Sequence, residues 1–204
     1  GGAVFWSRDA TNATVVSCNF INNAAKGDGG AIRGVGVNGA IIKSTFTNNT
    51  CNVDGGAVSW LAANSKIIDS IFTSNNATRS GGSVWWGGGA TNSILRNCTF
   101  INNTANGGGA IYFGTSDNTI LSNSTFTGNF ANTRGGAISW TGNNGILTDC
   151  TFSDNSAFEY GGAVYWYGSY GTLTNSNFNN NHVIQHDGGG IYWYGSYGTL
   201  TNSI

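Results

Sequence analysis

Two acidic side chains, Asp28 and Asp54, each stand immediately before a glycine pair, and Arg79 lies near the equivalent place one stretch further on. Two carboxylates beside a guanidinium can cleave a polysaccharide, or can hold a calcium ion weakly. Asp187 occupies the same position with no companion, which matches the ordinary use of Asp at chain corners, where its side chain bonds nearby backbone. Lys43 and Asp69 also share a position in successive stretches and read as a surface ion pair, worth under about 1 kcal/mol. His182 and His186 precede a glycine run without a third ligand, so they read as solvated loop residues rather than a metal site. The glycine-rich runs GGGA and GGGI precede no helix and lack the context that phosphate binding requires. These residues point to no catalytic site, no metal and no cofactor.

What positions them is a repeat. The chain has 204 residues with 33 Gly, no Pro, no Met and only 8% charged residues, where a soluble domain carries about a quarter. Its 13% aromatic content argues against disorder, and its net charge of -1 gives no pull toward nucleic acid or an anionic membrane. No apolar run approaches the roughly 18 residues of a membrane helix. Without an initiating Met or a leader, the sequence reads as a segment of a longer protein.

A glycine-led mark, GGAV or a near variant, begins at positions 1, 29, 55, 81, 108, 135, 161 and 188, in steps of 26–28 residues. A second mark, Phe-x-x-Asn, pairs Phe20, Phe46, Phe72, Phe100, Phe126, Phe152 and Phe178 with Asn23, Asn49, Asn75, Asn103, Asn129, Asn155 and Asn181. The twelve residues YWYGSYGTLTNS occur identically at Tyr165–Ser176 and Tyr192–Ser203. Around these marks, β-branched and aromatic residues alternate with period two over short runs separated by Gly, Asn, Asp and Ser, and no helical period is present. The pattern predicts an all-β, single-stranded parallel β-helix: about 7.6 coils, three short strands per coil, one unit over residues 1–204. At about 4.8 Å per coil it would make a rod of roughly 35 Å.

Stacked coils turn columns into ladders. The Phe column should stack ring on ring, and each Asn amide can bond the next above and below. Asn also tolerates the left-handed conformation of a tight corner, which the Asn column is expected to adopt. Cys18, Cys98 and Cys150 share one column two or three coils apart, too far for disulfides, and Cys51 lies in an Ala and Val column. Four free, buried thiols are expected.

The column between the β-branched residue and the Trp of each coil should face outward: Phe5, Arg33, Ser59, Trp85, Tyr112, Ser139, Tyr165 and Tyr192. Tyr167, Tyr170, Tyr194 and Tyr197 extend it, and with Trp85, Tyr112, Tyr165 and Tyr192 they form a candidate aromatic patch for glycans or proteins; a ladder that only stabilises the sheet is the plainer alternative. Asn-x-Ser/Thr acceptors fall at Asn12, Asn48, Asn76 and Asn102; Asn97 and Asn123 are discounted as lying in tight corners beside the core.

The pairing of GGAI with Phe-x-x-Asn resembles the repeat of chlamydial polymorphic outer-membrane proteins. The fuller wording, NCTFINNTANGGGAIYF and GGAVYWYGSYGTLTNSNFNNN, resembles adhesin-like surface proteins of methanogenic archaea. The resemblance implies a secreted, right-handed β-helical stalk at the cell surface that binds other cells or host surfaces, and it supplies no catalytic residue. The function expected is therefore a non-enzymatic adhesin or spacer meeting glycans or proteins on other cells, with no nucleic acid and no membrane insertion in this segment. Alternatives are a polysaccharide lyase or hydrolase of the pectate-lyase type, and a filament or sheath subunit associating end to end.

Overall fold

The computed structural model describes residues 1–204. The chain is all-β and winds as a right-handed parallel solenoid of about 8 turns. Eight strands from Val4–Trp6 to Ile191–Trp193 form a first sheet, and eight from Thr14–Val16 to Thr199–Thr201 a second. Seven strands from Asn19–Ile21 to Asn177–Asn179 form a third sheet. The three expected strands per coil are joined by a fourth file of seven, mostly two-residue strands such as Asn76–Ala77. These are too short to show a period in sequence.

The register is residue for residue. Phe72 pairs with Phe46 below and Phe100 above, and Ile67 with Ile41 and Leu95. Alternation then decides the faces: Val58, Trp60, Ile67, Phe72 and Ala77 of one coil point inward and are 0–1% exposed. The seven Phe rings form one continuous stack with centroids 4.7–4.9 Å apart and planes within 8°. Burial of each ring contributes roughly 1.5–3 kcal/mol.

Beside this stack runs an amide ladder. Asn103 Nδ2 donates to Asn129 Oδ1 at 2.9 Å and to the Phe72 carbonyl at 3.1 Å, and the Asn103 backbone N–H donates to that same Oδ1 at 3.0 Å. The pattern recurs from Asn23 to Asn181. Every hydrogen of the amide is used, and its oxygen accepts twice, inside a core where an unpaired polar atom is costly. The left-handed conformation expected of this column belongs to the residue before it: Asn22, Asn48, Ser74, Asn102, Gly128, Asp154 and Asn180 have φ of 52–64°. That corner residue turns its own side chain outward and leaves its neighbour free to point in.

The glycine pair serves two ends. Gly81 has φ +63°, and a Cβ on Gly82 would lie 2.0 Å from the Gly109 carbonyl of the next coil. A side chain there would force the coils apart.

The aromatic file of Trp residues and Phe113 contains one non-aromatic member, Gly34. Trp60 leans into the space that an indole at Gly34 would fill. Its ring centre comes within 5.6 Å of Trp6 at 55°, although two coils separate them. The indole N–H groups of Trp60, Trp86, Trp140, Trp166 and Trp193 are buried with no partner in the protein. Phe113 holds the same place in its coil without a donor.

All four cysteines are free, but Cys18 is exposed, contrary to the expectation of four buried thiols. It lies in the first of the coils described, beside the strand Asn19–Ile21. In the same column serine both accepts and donates. Ser124 Oγ accepts the Cys98 N–H at 3.1 Å and donates to the Ser122 carbonyl at 2.8 Å. Where cysteine follows serine, the backbone N–H of Ser70 or Ser124 faces a sulfur, a weaker acceptor. Burial pushes the Cys98 and Cys150 thiols up to about 12, and that of Cys51 to about 11, from 9.0.

Three outcomes follow. Asn103→Leu orphans the Asn75 N–H groups below it, the Asn129 oxygen above it and the Phe72 carbonyl; denaturant unfolding should show a loss of at least about 3 kcal/mol, and a loss below about 1 would contradict the ladder's role. Cys98→Ser should raise stability by about 0.5–1.5 kcal/mol by restoring an oxygen acceptor. A raised thiol pKa stabilises the fold fully below the unfolded value and loses that contribution as pH rises through the folded one. Stability should therefore fall between about pH 9 and 12, and less steeply in a variant with Cys51→Ala, Cys98→Ser and Cys150→Ser.

Candidate functional site

The outer face of the first sheet carries the file Phe5, Arg33, Ser59, Trp85, Tyr112, Ser139, Tyr165 and Tyr192, one residue per coil. The Trp residues of the same strands point inward, as alternation requires. In the last two coils the rings pair. Tyr165 stacks on Tyr192 at 5.6 Å and Tyr167 on Tyr194 at 5.0 Å, while Tyr165 and Tyr167 lie 6.4 Å apart. Tyr167 and Tyr194 are 50% and 63% exposed, whereas Tyr165 is 6% exposed and forms the floor.

Tyr170 and Tyr197 do not join this cluster. They stack on each other at 5.0 Å on the left-handed corner that follows the strand, where earlier coils carry Asn. Trp85 and Tyr112 are half-buried and are separated from the cluster by Ser139. Two members were missed in the sequence. Tyr160 lies 4.7 Å from Tyr192, and His186 stacks on Tyr160 at 4.9 Å. Tyr160 falls in the column of Asp28 and Asp54, so its place at the rim was open to alignment on the glycine pair.

Arg134 ties this rim to the sheet. Its guanidinium lies 5.7 Å from the Tyr160 ring centre and 5.3 Å from that of Tyr165, with Nη1 3.5 Å from the Tyr165 hydroxyl and Nε 3.5 Å from Glu159. Burial raises the Tyr165 hydroxyl pKa, against the pull of Arg134. Between the Arg rim and the tyrosines runs an open groove of about 590 Å³, with Tyr112, Ser139, Tyr165 and Tyr167 on one side and Arg79 and Arg134 on the other.

Glu159 also lines the groove, whereas Asp28 and Asp54 do not. Asp54, with its side chain 1% exposed, makes a bidentate pair with Arg79, through Nε at 2.9 Å and through Nη2. Asp28 pairs with Arg33 at 3.5 Å. Each carboxylate is thus held by its own guanidinium, and Asp54 lies beneath one, out of a substrate's reach. No group of three His, Cys, Asp or Glu side chains is placed to hold a metal. His182 is exposed but belongs to the short strand His182–Val183, not to a loop.

Two further expectations are corrected. Lys43 and Asp69 form no ion pair: both stand at left-handed corners, and Asp69 accepts instead from Asn97 Nδ2 at 2.9 Å. Asn97 and Asn123 are as exposed as Asn12, Asn48, Asn76 and Asn102, because a left-handed corner turns its side chain away from the core.

Residues 17–34 match the Chlamydia polymorphic membrane protein repeat. No curated protein matches the chain. Residues 34–204, most of its length, match the family described as the right handed beta helix region. With four parallel sheets, coil-to-coil ladders and this match together, the chain belongs to the right-handed β-helix family.

Proposed function

We propose that the chain is part of a non-enzymatic, adhesin-like protein of the cell surface, a rigid spacer that meets glycans or proteins of other cells through its tyrosine-rich face. The observation that carries this reading is the cluster of Tyr165, Tyr167, Tyr192 and Tyr194, stacked in pairs over two adjacent coils with Tyr167 and Tyr194 open to solvent. Flat rings bearing hydroxyls suit the apolar faces and hydroxyls of sugars. The match to a repeat of chlamydial polymorphic membrane proteins supports a surface location, and the resemblance to adhesin-like proteins of methanogenic archaea supports adhesion. The candidate acceptors Asn12, Asn48, Asn76 and Asn102 are all exposed, which suits a displayed protein. End-to-end self-association is a further partner reading, tested by light scattering at rising concentration.

A polysaccharide lyase is the competing reading. It needs a carboxylate or base open to substrate, and the ion pairing of Asp54 with Arg79 weighs against it.

A glycan array should show binding by the chain that drops at least tenfold in the double variant Tyr167→Ser, Tyr194→Ser, with the melting temperature within a few degrees. Undiminished binding in that variant would remove the tyrosine face as the contact surface. Polygalacturonate, with and without calcium, should yield no unsaturated product; its appearance would establish the lyase instead.

A further inference from the structure

Two of the files bounding the groove lose their large side chains on adjacent coils, the rim at Gly107 beside Tyr112 and the sheet face at Ser139 beside Arg134. On the sheet face, Ser139 separates Tyr112 from Tyr165, so one rung of an aromatic file is missing. On the rim, Ser80, Gly107, Arg134 and Tyr160 follow one another in register, and Gly107 leaves bare the stretch between Arg79, beside Ser80, and Arg134. Gly107 has no conformational need to be glycine. Its φ is not left-handed, and a Cβ there would meet nothing nearer than 3.8 Å, at the Tyr112 ring and Thr133 Oγ1. The absent side chain makes room and exposes the ring edge of Tyr112.

The groove so opened is polar. Ser139, 3% exposed, lies on its floor with its hydroxyl unbonded by the protein, and Thr133, Thr141 and Asn106 add hydroxyl and amide groups. Charge is asymmetric. Both ion pairs at the rim turn their cations outward: Arg79 is 64% exposed over an Asp54 that is 1% exposed, and Arg134 is 49% exposed beside Glu159 at 32%. Arg79 commits Nε and Nη2 to Asp54, which leaves Nη1; Arg134 uses Nε and Nη1 and leaves Nη2. Free guanidinium N–H groups on either side of a ring-sized gap suit a carboxylate better than a neutral hydroxyl. The tyrosine faces suit the C–H face of a sugar ring, and about 590 Å³ is the scale of a small-ligand site.

We infer that this groove binds a carboxylate-bearing pyranose, a uronic or sialic acid residue of a glycan, with the ring over Gly107 and Ser139 against Tyr112 and the carboxylate toward Arg79 and Arg134. The inference rests on the glycan-binding reading above and gives it a ligand class and a position. It involves no cleavage.

Isothermal titration of the whole chain with sialyllactose, trigalacturonate and lactose tests it, and the first two separate the sources of the acid. At least one acidic sugar should bind tenfold or more tighter than lactose. Gly107→Leu should abolish that binding with the melting temperature unchanged, since the backbone tolerates a side chain there and only the groove is filled. Arg134→Gln should bring acidic and neutral affinities within threefold of each other. Equal affinity for acidic and neutral sugars in the wild-type chain, or full binding by a folded Gly107→Leu, overturns the inference. If neutral glycans bind and depend on Tyr167 and Tyr194 but not on Gly107, the adhesin reading stands and this site falls. If no glycan binds, the glycan-binding reading and this site both fall.

Discussion

The hydrogen bond between one coil and the next sets every other dimension of this molecule. Parallel strands pair at a fixed separation, so each coil must lie about 4.8 Å from its neighbour. Aromatic rings at that distance stack with offset, and amides at that distance bond head to tail, so Phe and Asn columns satisfy the same spacing as the backbone. The spacing also excludes. A methyl group on the second glycine of each pair would collide with the carbonyl above it, as at Gly82, and cysteines two coils apart cannot meet. The core is therefore a set of files, each answering to one distance.

That constraint made the interior readable from the letters. Phe20 to Phe178 and Asn23 to Asn181 repeat without exception because each residue must match its copy above and below, and a substitution disturbs two interfaces at once. The parts that escaped notice obey more local rules. The fourth strand of each coil has too few residues to reveal a period. The left-handed corner was assigned to the Asn of the ladder, whereas Asn48 turns the chain and Asn49 fills the core; both are Asn, and only the backbone angle separates them. Cys18 follows the column rule yet is exposed, because a column records which residues align and not what covers each one. Trp60 swings to fill the space at Gly34, a response of packing that no column can record.

The outer face was less legible because nothing there enforces sameness. The file from Phe5 to Tyr192 varies in size and charge, and its meaning depends on side chains from a neighbouring corner. Arg134 bridges Tyr160, Tyr165 and Glu159 through contacts that span 25 to 31 residues of sequence. Likewise, Asp28 and Asp54 share a column and suggested joint chemistry, but each finds its own arginine, so the column holds two separate ion pairs. Chemistry on a solenoid surface emerges where files of different kinds happen to change together.

The identical stretches Tyr165–Ser176 and Tyr192–Ser203 occupy equivalent places in successive coils, with strands in full register. Excising the 27 residues between equivalent points would rejoin two halves that already fit, with every stacked ring and paired strand restored across the seam. A gene encoding such copies can thus shed or gain a whole turn by unequal recombination without unfolding its product. The length of the rod then changes in whole increments of one coil, like notches on a ruler.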